Sequence, residues 1–224
     1  MDAPASVVQS ILRETRAPGA VLLRGAASIL RDEPQNDIDI FVPREDWARA
    51  ALFGPHQLVC DQPSGTEQRK LHLKEADTNT LVEIDVFHQL TWRGICIADV
   101  ATLPNCTVEG IETKCLTPGA EAWLTVVKNV LHGSQTPERK LADMDGRPLF
   151  HAARMPAGSV RLRLDAALSA AAWAAATEQS LFRSNVWRAR SALILLRLLE
   201  APLGTISAFF GWALWRLRRW VMGS

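Results

Sequence analysis

Asp37 and Asp39 stand two residues apart in the stretch LLRGAASILRDEPQNDIDIFV, residues 22–42. In an extended chain side chains alternate, so both carboxylates leave the same face. Such a pair can converge on one hard cation, which prefers oxygen ligands, and is costly to hold together without a neutralising partner. A second acid-bearing stretch, LVEIDVF at residues 81–87, repeats the pattern with Glu83 and Asp85 on one face and apolar residues on the other. Two neighbouring strands of this kind assemble three or four carboxylates. That chemistry suits divalent ions serving phosphoryl or nucleotidyl transfer, one lowering the pKa of an attacking hydroxyl and one neutralising a triphosphate. A bare Asp-x-Asp also has a bland reading, solvation at a strand end. Asp143 and Asp145 have the same spacing in a stretch that reads as helix, where residues two apart do not share a face.

Other residues near these acids have chemistry and an ordinary alternative. Arg24-Gly25 closes an apolar run just before a short helical stretch. A glycine there lets backbone approach a phosphate, and a following helix start favours anions. His88, directly after the second acidic strand, is a general base, a phosphate ligand or a strand-end histidine bonded to backbone. Trp92-Arg93-Gly94 offers a stacking ring and a phosphate contact, or a core tryptophan beside a turn. Lys128 and His132, with Arg139 and Lys140 beyond them, belong to a helical stretch whose ordinary reading is a solvated face.

The elements that must position these groups are readable from periodicity. Residues 5–16 form an amphipathic pattern ended by Pro18-Gly19. Strand patterns cover 20–24, 37–42, 56–60, 70–74, 81–87 and 107–116, with Ala76-Asp77-Thr78-Asn79 as a hairpin turn. Residues 26–30 make one or two helical turns, and Pro43 opens a helix closed by Gly54-Pro55. Thr117 is a good N-cap and Pro118 a good first residue for a helix striped by Trp123, Val126, Val127, Val130 and Leu131 and stopped at Gly133. Beyond it the chain reads helical, alanine-rich from 160 to 181. The expected organisation is a mixed α/β domain over 1–117, a helical domain over 118–182, and a distinct tail over 183–224.

Charge sets the tail apart. It carries seven of the 25 basic residues and one of the 24 acidic ones, which leaves residues 1–182 at about −5. Pro202 to Trp215 is uncharged for 14 residues, short of the roughly 20 that a spanning helix needs. Its tryptophans and phenylalanines, followed by three arginines, fit an interfacial helix on an anionic membrane surface; packing on a partner protein or on the chain's own helical domain is the alternative. The four cysteines have no metal-ligand spacing and no evident pairing, so a reduced, cytoplasmic setting is expected, peripheral to the inner face of the membrane if the tail binds lipid. No basic start precedes an apolar stretch, so no signal peptide is expected at the N-terminus. The α/β half lacks a basic stripe, which argues against a nucleic-acid partner.

Taken together, "LLRGAASILRDEPQNDIDIFV", "LVEIDVFHQLTWRG" and "LTPGAEAWLTVVKNVLHG" resemble the DNA polymerase β-like nucleotidyltransferase superfamily over residues 20–133. The likeness is to a branch found near bacterial surface-polysaccharide genes, some of whose members are joined to a kinase domain preceded by a basic helix like Trp215 to Val221. The resemblance implies an α+β fold, a nucleotidyltransferase-like mixed sheet with flanking helices, followed by an all-helical C-terminal region. It implies that Asp37, Asp39 and Asp85 bind Mg²⁺ and form the catalytic set, with Asp85 activating the acceptor hydroxyl. Arg24, Gly25 and Lys128 would contact the nucleotide. The expected reaction moves a nucleoside monophosphate from an NTP to a hydroxyl of a small-molecule, sugar or protein acceptor. The family commonly has Gly-Ser at the phosphate turn, and this chain has Gly25-Ala26. The alternative implied is therefore a catalytically inactive protein of the same fold, a binding or scaffold protein at the membrane surface in polysaccharide biosynthesis.

Overall fold

A computed structural model describes residues 3–35, 37–47, 52–63, 68–98, 100, 103–132 and 179–221. The chain is α+β: a mixed seven-stranded sheet with flanking helices, followed by a helical C-terminal region. Two compact units divide it. The first comprises residues 1–90 and 105–117, the second 91–104 and 118–224.

The first unit holds the sheet. Its strands are β1 (Val21–Leu22), β2 (Ile38–Phe41), β3 (Gln57–Pro63), β4 (Gln68–Lys74), β5 (Leu81–Phe87), β8 (Asn105–Val108) and β9 (Ile111–Leu116), in the order β3-β4-β5-β2-β1-β9-β8. β2 runs parallel to β5 and antiparallel to β1, while β1 runs parallel to β9. One face is apolar by strict alternation. Ile38, Ile40, Val82, Ile84, Val86, Leu71 and Leu73 are buried there. They share a core with Val7, Val8, Ile11 and Leu12 of helix α1 (Ala5–Arg13) and with Ile29 of α2 (Ala26–Leu30). Because side chains alternate, the residues between them, Asp37, Asp39, Glu83 and Asp85, are turned to the opposite face. The apolar core therefore fixes where the acids point: a slip of one residue in β2 or β5 would bury carboxylates among isoleucines.

Several elements differ from expectation. The pattern over 107–116 is two strands, β8 and β9, because Gly110 at φ +86° reverses the chain between them. Helix α1 stops at Arg13 rather than 16. The helix opened by Pro43 is described as α3 (Arg44–Trp47), and its expected Ala50 and Ala51 lie outside the described residues. The turn between β4 and β5 holds as a hairpin reversal. Glu75, buried in the turn, accepts from the Thr78 backbone N–H at 2.7 Å, the Asp77 N–H at 3.0 Å, Thr78 Oγ1 at 2.9 Å and Ser10 Oγ at 3.0 Å. These donors, the Thr78 N–H foremost, hold its carboxyl below the ordinary glutamate range.

Periodicity did not reveal a hairpin of β6 (Leu90–Trp92) and β7 (Ile95–Ala98), which from Thr91 onward belongs to the second unit. Arg93 at φ +53° and Gly94 at φ +77° form its two-residue turn, a conformation that matches the twist of the flanking strands. Helix α4 (Pro118–His132) starts at the proline expected, and buries Trp123, Val126, Val127, Val130 and Leu131. Helices α5 (Gln179–Glu200) and α6 (Pro202–Val221) follow one another with only Ala201 between. Residues 133–178, with Asp143, Asp145, Arg139, Lys140 and the alanine-rich stretch, lie outside the described residues.

Arginines tie this unit together. Arg190 donates to the Leu131 carbonyl through Nε at 3.0 Å and Nη2 at 2.8 Å, satisfying a carbonyl in the last turn of α4. Arg197 donates to the carbonyls of Cys96 at 2.8 Å and Ile97 at 3.1 Å, which pins α5 to β7.

Candidate metal centre

Register builds the site. On parallel strands β2 and β5, Asp39 is the partner of Asp85, so their side chains leave the sheet side by side. On the other side of β5, Lys70 of β4 is the partner of Asp85. Asp37 precedes β2 and continues the same face. Asp37, Asp39 and Asp85 each place an oxygen within 4.8 Å of the other two. Asp39 is buried, with 5% of its surface exposed, while Asp37 and Asp85 are partly covered.

Arg24 reaches this cluster from the end of β1. The strand is short, and its continuation is fixed by the Leu23 N–H donating to the Asp39 carbonyl at 2.9 Å. The next residue then stands beside the two aspartates. Its guanidinium forks, Nη2 donating to Asp37 Oδ2 at 2.6 Å and Nε lying 2.5 Å from Asp39 Oδ2. A planar cation with two aligned donors suits two converging carboxylates, and with the arginine partly exposed solvent screening holds each bond to roughly 1 kcal/mol. Arg24 thus sits on the carboxylates rather than out in the turn. Gly25 is left-handed at φ +89° and caps α2, so the residue there must lack a Cβ to keep the turn unstrained.

Asp85 has a different environment. Its Oδ1 is enclosed and accepts no hydrogen bond, and Lys70 Nζ is 3.8 Å away. Burial pushes the Asp85 carboxyl above the ordinary aspartate range. Lys70 and a Gln68 hydrogen bond pull the other way, while Glu83 and Asp37 add to the rise. Lys70 itself is engaged by Glu83, whose hydrogen bond raises the lysine above its ordinary value. Glu83 therefore serves the lysine and is not among the three converging acids. His72 Nε2 lies 3.9 Å from the other Glu83 oxygen.

Lys70 was not among the residues singled out by sequence. The signal available was alternation in QRKLHLK, which places Lys70 and His72 opposite Leu71 and Leu73; only the register with β5 shows that Lys70 falls beside Asp85. Of the other candidates, Lys128 and His132 are on α4 in the second unit, Lys128 on its exposed side. Trp92 is buried in the second unit with Arg93 stacked over it at 5.0 Å, which fits a core tryptophan beside a turn.

The residues fit a hard divalent cation. All three donors are carboxylate oxygens, and Asp85 Oδ1 is a buried acceptor that receives no hydrogen bond. Nothing in the donor set distinguishes Mg²⁺ from a neighbouring hard ion.

No protein-family model matches the chain, and no curated protein matches it. A crystal structure of JHP933 from Helicobacter pylori is similar at a TM-score of 0.34 and 9% identity, covering 90% of this chain and 95% of that one. A likeness of that size says nothing about activity.

Proposed function

We propose that the chain is a nucleotidyltransferase of the DNA polymerase β-like superfamily, transferring a nucleoside monophosphate from an NTP to an acceptor hydroxyl with Mg²⁺ held by Asp37, Asp39 and Asp85. The observation that carries this reading is the convergence of those three carboxylates, set by the β2–β5 register. Bound Mg²⁺ would supply charge neutralisation on the triphosphate and acidification of the attacking hydroxyl. The chain's own groups divide the remaining work. Asp37 and Asp39 provide fixed negative charge at the strand end. Asp85, whose proton affinity is raised by burial in the metal-free chain, would in its ionised form be suited to accept the hydroxyl proton. Lys70 supports Asp85 with a positive charge 3.8 Å from Oδ1. Arg24 has the length and fork to hold a phosphate, and would be available for one if a cation took its place between the aspartates. Gly25 keeps the turn beside it open.

A second reading is favoured by one observation. Arg24 already satisfies Asp37 and Asp39, as an internal ion pair does in a protein that needs no metal. With Ala26 in place of a phosphate-binding serine, a catalytically inactive protein of this fold, acting as a scaffold at the membrane surface, is the alternative.

The test is pyrophosphate release from each NTP with Mg²⁺ and a mixed set of sugar, small-molecule and protein hydroxyl acceptors. Transfer lost in Asp37→Asn and Asp85→Asn supports the first reading. No transfer, together with no Mg²⁺- or NTP-dependent thermal shift, supports the second.

A further inference from the structure

Helix α6 has one face committed and one face open. On the committed face, Thr205 is buried and donates through Oγ1 to the Arg197 carbonyl at 2.9 Å. Next along that face, the Ala208 backbone packs against Gly94; a Cβ on Gly94 would fall 2.4 Å from the Ala208 carbonyl oxygen and 3.0 Å from Trp212 Cβ. Arg93 then stacks over Trp212 at 5.6 Å. The hairpin β6–β7 and helix α5 therefore account for this side of the helix.

On the opposite side Leu203, Ile206, Phe210, Leu214, Leu217 and Val221 follow one another at spacings of three and four, which is a single helical stripe. All six are exposed, Leu203 to 82% and Val221 to 68%. Trp220, at 82%, and Phe209 widen the stripe. An apolar strip running the length of a 20-residue helix, about 30 Å, is far more than isolated exposed side chains produce. At its C-terminal end the stripe is flanked by charge of one sign. Arg216 and Arg218 stand about 100° either side of Leu217, both exposed, and α6 has no acidic residue. No helix among the described residues is long and apolar enough to cross a membrane.

We propose that α6 is an interfacial helix that lays this stripe into an anionic lipid bilayer. The apolar side chains enter the acyl boundary, Arg216 and Arg218 lie at the headgroup level on either flank, and Trp220 sits at the same depth. Charge complementarity selects this occupant: a purely apolar protein groove would leave Arg216 and Arg218 at the C-terminal end of the stripe unanswered, whereas lipid phosphates meet both. The hairpin contact fixes the helix on the folded unit with the stripe outward, so the binding surface is preformed.

Flotation of the full chain with phosphatidylglycerol–phosphatidylcholine vesicles tests this, against pure phosphatidylcholine vesicles. Binding to the mixed vesicles is expected, with a blue shift of tryptophan fluorescence. F210E and L214E, on exposed positions, should each abolish it with circular dichroism unchanged. R216Q/R218Q should weaken it by roughly 25-fold and flatten its salt dependence. Equal binding to neutral vesicles overturns the arginine role. No binding to either, with a dimer by sedimentation that F210E dissociates, overturns the proposal in favour of a contact between copies. No binding by a monomer overturns it outright.

Discussion

Asp39 and Asp85 are register partners on two parallel strands that are distant in sequence, and this pairing alone puts their carboxylates on one face within reach of a shared cation. Neither residue could move to the other face without displacing Ile38, Ile40, Ile84 and Val86 from the core. The site is thus a by-product of hydrophobic alternation, and its geometry is as stiff as the sheet.

Removing Arg24 should expose what it neutralises. Arg24→Gln leaves Asp39 buried beside Asp37 with no fork between them. Stability without a divalent cation is expected to fall by about 1–3 kcal/mol, moderated because the arginine is partly exposed. Added Mg²⁺ should then raise the melting temperature more in this variant than in the unaltered chain. Differential scanning calorimetry with and without Mg²⁺ reads both effects, and an equal Mg²⁺ shift in the two proteins would show that Arg24 and the ion do not share the site.

Cation binding should depend on pH through Asp85. Its carboxyl is raised in the folded chain, so protons compete for it at a pH above the ordinary aspartate range. Apparent Mg²⁺ affinity is expected to fall as pH drops through that raised value, and Asp85→Asn should remove this part of the dependence while weakening binding overall. For stability the sign is opposite to that of a salt-bridged acid. The ionised form is disfavoured by burial, so the cost is present at neutral pH and is relieved as pH falls toward the unfolded-state value. Isothermal titration over a pH series, paired with urea denaturation, measures both.

Glu75 should behave in the reverse way. Its folded carboxyl is depressed by four donors, so the stabilisation is present above its unfolded-state value and is lost as pH falls through the folded one. Glu75→Gln is expected to cost roughly 1–3 kcal/mol at neutral pH, with the difference between variant and parent shrinking in acid. Parallel denaturation curves at neutral and acidic pH would reveal it; a constant difference would mean that hydrogen-bond geometry, not charge, is what the turn uses.

At the hairpin of the second unit, Gly94→Ala combines a left-handed backbone with a Cβ 2.4 Å from the Ala208 carbonyl oxygen. The backbone alone costs about 1–3 kcal/mol, and the clash must push the turn off α6. Near-ultraviolet circular dichroism should lose signal from Trp92 and Trp212, with far-ultraviolet helix content retained. Unchanged aromatic signal would place the packing elsewhere.

Strand alternation made β2 and β5 legible, and with them the facing of Asp37, Asp39 and Asp85. The β4–β5 turn and the Pro118 helix start were legible for local reasons, turn chemistry and capping. What could not be read was register. Lys70 is an ordinary basic residue in QRKLHLK until β4 is laid against β5, and Glu83 looks like a fourth ligand until Lys70 claims it. Arg24 posed the same difficulty, since a residue at a turn gives no hint that its side chain folds back over β2. The hairpin at Arg93-Gly94 was missed because β6 is three residues long, too short for periodicity to register. The apolar tail was legible as apolar, but which side of α6 the protein keeps for itself depended on where Gly94 docks.

The fork of Arg24 changes what arrival of a cation would mean. A carboxylate cluster that waits empty gains an ion and its binding energy outright. Here a positive charge is already seated, tethered by the chain itself, so arrival of a divalent ion would be an exchange of counter-ions that adds one net positive charge at the strand end and leaves the guanidinium in need of another anion. A triphosphate is such an anion. Metal and nucleotide would then bind with positive coupling, the ion freeing the arginine and the phosphate giving it somewhere to go.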